Sequence, residues 1–113
     1  MTNNQIDYIE FKTNNIETTK AFYTKAFNWV FTDYGPNYTA FEESGLQGGF
    51  ELSDKPILNG ALVVLYHEDL EAQMESVKKC GGVISKEIFS FPGGRRFHFT
   101  DPSGNALAIW SDK

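Results

Sequence analysis

Apolar and polar residues alternate from Ile6 to Thr13, with Ile9 and Phe11 on one side and Tyr8, Glu10 and Lys12 on the other, which predicts a strand. The period then lengthens. Ile16, Thr19, Phe22, Tyr23, Ala26 and Phe27 recur at three- and four-residue spacing, the stripe of a helix that packs on a sheet, and Asn14 and Asn15 supply its N-cap. Strands are expected at Trp29 to Asp33, at Tyr38 to Glu42 after the Gly35-Pro36-Asn37 turn, and at Leu46 to Leu52. Gly45, Gly48 and Gly49, in or beside the last of these, point to a close backbone approach or a bulge.

Ser53-Asp54-Lys55-Pro56 interrupts the pattern, which then repeats. Gly60 to Tyr66 reads as an apolar strand, and Glu68-Asp69 as the cap of a helix over Leu70 to Cys80 whose buried side carries Leu70, Met74, Val77 and the Lys78 stem. Gly81-Gly82 ends that helix as a left-handed C-cap does. Strands follow at Val83 to Phe91, Arg95 to Thr100 and Asn105 to Trp110, the last two joined by Asp101-Pro102-Ser103-Gly104-Asn105. In that turn Pro102 presets φ, Gly104 accepts positive φ, and Asp101 and Asn105 bond nearby amides. A calcium loop is excluded there, because glycine falls fourth rather than sixth and no glutamate follows at the required distance.

The order strand, helix, three strands thus occurs twice, in modules of about 55 residues. The fold class is α+β, with two tandem βαβββ modules forming a curved, half-open barrel of mixed sheet. One domain is expected over 1–113, with module one at about 5–53 and module two at about 59–111. Each module lays a helix on one sheet face and leaves the other face for a concave small-molecule site.

Composition narrows the function. A net charge of −5 and the lack of a basic patch argue against nucleic-acid partners. No stretch approaches the roughly 20 apolar residues of a membrane span, and Met1 to Gln5 is not a secretory signal, so a cytoplasmic protein with no membrane partner is expected. Cys80, the single cysteine, reads as a small residue closing a helix, and the sequon Asn37-Tyr38-Thr39 as idle.

Tyr8-Ile9-Glu10-Phe11 leading to Asn15, Ala21-Phe22-Tyr23-Thr24-Lys25-Ala26-Phe27-Asn28-Trp29, Gly81-Gly82 and the Asp101–Asn105 turn resemble the vicinal oxygen chelate superfamily, which comprises the glyoxalase, bleomycin-resistance and extradiol dioxygenase proteins. The resemblance covers essentially the whole chain. It implies a divalent metal held by a histidine seven residues before each helix cap and a glutamate three residues beyond the turn. Those positions hold Tyr8, Leu62 and Ala108, and Gln47 stands near the remaining one. Leucine and alanine donate nothing to a metal, so neither a metal nor another cofactor is expected.

Other chemistry rests on strand parity. Glu10 shares a face with Tyr8 and is a candidate general base, or else an ion-pair partner of Lys12, Arg95 or Arg96. His98 alternates with Phe97 and Phe99, so it is either a pocket acid or a histidine bonded within the sheet; His67 lies in a loop or at a pocket rim. Arg95 and Arg96 point opposite ways, and an arginine in the cup suits an anion. Leu62, Val64, Tyr66, Ala106, Ala108 and Trp110 complete an apolar, aromatic lining. The expected function is metal-free binding of a small, partly apolar molecule by a homodimer. The alternatives are a lyase or isomerase using Glu10 or His98, and a regulatory or structural dimer whose cup is filled.

Overall fold

The computed structural model describes residues 1–58 and 60–113. The elements run β1 (Ile6–Thr13), α1 (Ile16–Phe27), β2 (Val30–Asp33), β3 (Tyr38–Glu42), β4 (Gly48–Leu52), β5 (Ala61–Tyr66), α2 (Leu70–Lys79), β6 (Val83–Phe91), β7 (Gly94–Thr100) and β8 (Ala106–Ser111). The chain is α+β, and its order is strand, helix, three strands, twice over. It divides into two compact units, Tyr8–Ala61 and Met1–Asp7 with Leu62–Lys113, so the boundary falls inside β1.

In the unit Tyr8–Ala61 the strand order is β2-β3-β4-β1, antiparallel until the parallel β4–β1 pair. Its core is aromatic: Phe50 stacks on Phe11 at 5.3 Å between ring centroids, Trp29 lies 4.6 Å from Phe41, and Tyr23 of α1 reaches Phe50 at 5.2 Å. The Asn15 side chain caps α1 by accepting from the Thr18 amide at 3.0 Å. Thr13 ties strand to helix through a 2.6 Å hydroxyl contact with Thr19.

Part of the expected α1 stripe does not pack on the sheet. Phe22 and Phe27 remain exposed and meet Tyr23 instead, because Tyr23, with Trp29 and Phe50, already fills the space under the helix. Four strands begin later than expected, β5 and β8 by one residue each. Trp29 precedes β2 and packs on Tyr23, while Leu46 sits in the bend before β4, its amide bonded to the Ser44 hydroxyl.

The other unit orders its strands β5-β8-β7-β6, with β5 and β8 parallel and the rest antiparallel. Leu70 of α2, Phe97 of β7 and Ile109 of β8 form its core, joined by Leu65, Met74, Val77, Ile84, Ile88 and Phe99. Asp69 caps α2 by accepting from the Ala72 amide at 3.1 Å. Its C-terminus closes on Gly81 at φ +101°, with the Gly82 amide donating to the Val77 carbonyl. Lys78 is not on the buried side; it is exposed and pairs with Glu75 one turn earlier, where its ammonium stays in water.

The Asp101–Asn105 turn behaves as its chemistry dictates. Asp101 Oδ1 accepts from the amides of Ser103 and Asn105, its Oδ2 accepts from Asn105 Nδ2, and Gly104 adopts φ +92°. These bonds, the Asn105 side chain foremost, hold the Asp101 carboxyl below its usual range. Residues 1–7 also belong to this unit: Asn4 N–H donates to the Tyr66 carbonyl at 2.8 Å, and Asp7 accepts from the Trp110 indole at 2.9 Å. Among the described residues no helix is long and apolar enough to cross a membrane.

Candidate functional site

Each unit has a sheet face away from its helix, and the chemistry collects there. In the unit Tyr8–Ala61, parity and register place Tyr8, Glu10, Tyr38, Ala40 and Gly49 on that face, because Glu10 and Ala40 flank Gly49 on neighbouring strands. The Tyr8 and Tyr38 hydroxyls lie 2.6 Å apart, and the Tyr38 hydroxyl donates to Glu10 Oε1 at 3.2 Å. Glu10 is only 4 % exposed, whereas both tyrosines are half-buried. Burial, followed by the Glu10 carboxylate and the bond with Tyr8, pushes the Tyr38 phenol far above its usual range. Tyr38 therefore stays protonated.

Gly49 makes this arrangement possible. A Cβ there would overlap the Tyr38 hydroxyl and lie 2.6 Å from Cε1 and 2.7 Å from Cζ, so the ring crosses the strand where a side chain is missing. Lys12 pairs with Glu51 and Arg95 with Glu71 on α2, so these two cations are engaged elsewhere. Gln47 just precedes β4, with its carbonyl accepting from the Ile9 amide; its exposed side chain lines an open depression of about 540 Å³ with Phe41, Glu42, Glu43, Gly45 and Leu46.

The second unit's free face is aromatic and cationic. Arg96 lies over the rings of Phe89 and Phe91 at 5.5 and 5.7 Å, Lys86 lies over Phe89 at 4.2 Å, and His98 meets Phe89 at 5.7 Å. Trp110 stands 6.5 Å from Phe91 and edge-on to Tyr66 at 5.4 Å. Tyr66 is 5 % exposed and gives its hydroxyl to Asp112 at 2.5 Å, which raises its own pKa and lowers that of Asp112. Val64 and Ala108, paired across β5 and β8, are buried, while Leu62 is half-buried. Of these three only Leu62 offers surface to a ligand, and none offers polar chemistry. His67 accepts from the Asp69 amide at 2.9 Å and so belongs to the entry of α2.

Tyr38, Phe89 and Phe91 were not singled out by the sequence pattern. The Gly48–Gly49 pair signalled a close approach but not its partner, and the two register shifts in β6 hid which of its residues share a face with Arg96.

A model of the Glyoxalase/Bleomycin resistance protein/Dioxygenase superfamily matches residues 5–109. The chain belongs to this superfamily. No curated protein sequence gives a match. Among solved structures, NAD-dependent benzaldehyde dehydrogenase from Legionella pneumophila superposes with a TM-score of 0.74 at 17 % identity, over 94 % of this chain and 98 % of that one. The Mn(II)-bound glyoxalase from Novosphingobium aromaticivorans gives 0.69 at 20 % identity, over 96 % of this chain and 38 % of that one. Methylmalonyl-CoA epimerase from Mycobacterium tuberculosis gives 0.72 at 12 %, over 98 % and 92 %. At these identities the likeness is one of fold.

The superfamily's metal can be tested against the residues present. Leu62 and Ala108 carry no donor atom, Ala108 has no exposed surface, and the Tyr8 hydroxyl is bonded to Tyr38. Among the described residues no three His, Cys, Asp or Glu side chains form a metal-binding group. Such a donor set does not suit a divalent ion.

Proposed function

We propose that this superfamily member works without a metal and binds a small, partly apolar molecule on its helix-free sheet faces. One observation carries the reading: the superfamily's ligand positions hold, in this chain, a phenol bonded to a second phenol and two aliphatic residues. Binding then rests on apolar and ring surface from Leu62, Phe89, Phe91 and Trp110, at about 25 cal/mol per Å² of apolar area buried. Arg96 and His98 supply the orienting polar groups of the second unit's face, and Tyr8 and Glu10 those of the face of the unit Tyr8–Ala61. Val64, Tyr66 and Ala108 back the surface of their own unit, and Gln47 offers an amide in the depression before β4 of the unit Tyr8–Ala61. A homodimer in the cytoplasm is part of the same reading, supported by the exposed Phe22 and Phe27 of α1, and sedimentation tests the dimer.

Metal analysis after incubation with Mn(II), Ni(II) and Zn(II) and desalting is expected to find no stoichiometric ion. One equivalent retained would refute the metal-free reading. A second reading, a lyase or isomerase with Glu10 as base, is favoured by the burial of that carboxylate against Tyr38. It requires deuterium from solvent to enter a carbon acid, and dihydroxyacetone in D₂O with protein and with its Glu10→Gln variant is the direct test.

A further inference from the structure

We propose that Lys86 makes the helix-free face of the second unit a site for an aromatic carboxylate, held by its charge at Lys86 and by its ring along Phe91 and Trp110. The inference rests on the small-molecule reading above and names the ligand class of that face.

The strand is bulged so as to present this charge. By simple alternation Lys86 would share the core side of β6 with Ile84 and Ile88, which both pack on the Leu70–Phe97–Ile109 cluster. Two register shifts bracket it, one between Ile84 and Lys86 and one between Lys86 and Phe89. They pair Ile84 with Phe99, Lys86 with His98 and Phe89 with Arg96, so Lys86 turns from the core and joins Phe89 on the free face.

A ring then holds the charge without neutralising it. Lys12, Lys20, Lys78 and Arg95 each meet a carboxylate. The exposed Lys86 instead places its ammonium over the Phe89 ring at 4.2 Å, and among the described residues it forms no ion pair, not even with neighbouring Glu87. The negative face of a phenyl ring fixes an ammonium in place and leaves its charge for an anion. Arg96 lies over the same ring and has further contacts of its own, so the site is assigned to Lys86 alone.

The neighbouring rings give the site a direction. Phe89, Phe91 and Trp110, all half-buried, follow one another at 6.5 Å between centroids. The series starts at the Lys86 ammonium and ends at the Trp110 indole, which is bonded to the Asp7 carboxylate. A ligand carboxylate is attracted at the first end and repelled at the second, while its ring gains contact with Phe91 and Trp110.

A lysine and bulges on an edge strand such as β6 also discourage pairing with another chain, and the test separates the two roles. Benzoate, benzyl alcohol and benzylamine, one ring with a negative, a neutral or a positive group, are titrated by ligand-observed NMR. Benzoate is expected to bind about three- to fivefold more tightly than benzyl alcohol, with benzylamine weakest. The advantage should shrink as salt is raised from about 0.02 M to about 0.5 M. The net charge of −5 favours the opposite order, so a preference for benzoate reports a local cation. Lys86→Gln should erase that preference and leave benzyl alcohol binding unchanged, whereas Lys86→Arg should keep it. Lys79→Gln, which removes an exposed charge from α2, should not alter it. Far-UV circular dichroism checks that each variant is folded. Benzoate binding no more tightly than benzyl alcohol, or a benzoate preference that survives Lys86→Gln, overturns the inference and leaves the small-molecule reading standing. Binding of none of the three refutes that reading and this inference together.

Discussion

Gly48 allows a sharp test of how the Tyr8–Ala61 unit is built. A Cβ at this position would overlap the Ile9 carbonyl oxygen and the tip of the Phe41 ring, and would lie 2.9 Å from Ile9 Cγ2. Neither main obstacle can withdraw cheaply. The Ile9 carbonyl belongs to the strand paired in register with Gly48, and moving β1 away would break ladder bonds worth about 1 kcal/mol each. Phe41 is only 2 % exposed, in contact with Phe11, Trp29, Phe31 and Phe50. Gly48→Ala should therefore cost about 3 kcal/mol, the upper part of the range for overpacking. In urea, at a slope of about 2 kcal/mol per M, the midpoint should fall by roughly 1.5 M with the slope unchanged. Gly45→Ala is the control, since its φ is +92° and nothing lies within 4 Å, so only backbone strain of about 1 kcal/mol is added. Phe41→Leu removes the ring tip and should recover about 1 kcal/mol of the Gly48→Ala loss in a double-mutant cycle. The reasoning fails if Gly48→Ala costs no more than Gly45→Ala, or if the cycle shows no coupling.

Phe97→Ala should destabilise by about 4 kcal/mol by emptying the centre of the Leu70–Phe97–Ile109 cluster, read from equilibrium unfolding. Asp101→Ala should lower stability at neutral pH, and the difference from wild type should vanish on acidification. The folded carboxyl titrates below its unfolded value, so between the two values the unfolded chain binds more protons. Its contribution is present above about pH 4 and is lost as pH falls through the folded value, which thermal melts across pH 2.5 to 7 would show.

Much of the architecture was legible because local chemistry dictated it. Asn15 and Asp69 are the observed caps, Gly81 the left-handed residue after α2, and the Asp101–Asn105 turn bonds to itself without help from elsewhere. Period-two alternation gave the strands and correctly separated Phe11 from Glu10 and Phe97 from His98. What parity cannot supply is which side chain on a neighbouring strand reaches across. Tyr38 meets Glu10 only because Gly49 leaves room, and that depends on β3, β4 and β1 being in one register. Helical spacing overstated the buried face of α1 for a similar reason. It marks which residues share a side but not how much room lies beneath them, and Tyr23 with Trp29 and Phe50 takes that room, leaving Phe22 and Phe27 exposed.

The discontinuity of the unit that contains Trp110 bears on how the chain is assembled. Residues 1–7 lie with 62–113, where Asn4 and Gln5 bond the backbone of Tyr66, Asn3 accepts from the Glu68 amide and Asp7 holds the Trp110 indole. On the ribosome these seven residues precede every one of those partners. The segment Tyr8–Ala61 has all of its own residues as soon as Ala61 is made, while the stretch just before it must wait for the carboxy-terminal half. Residues made before their partners thus find their place only after them.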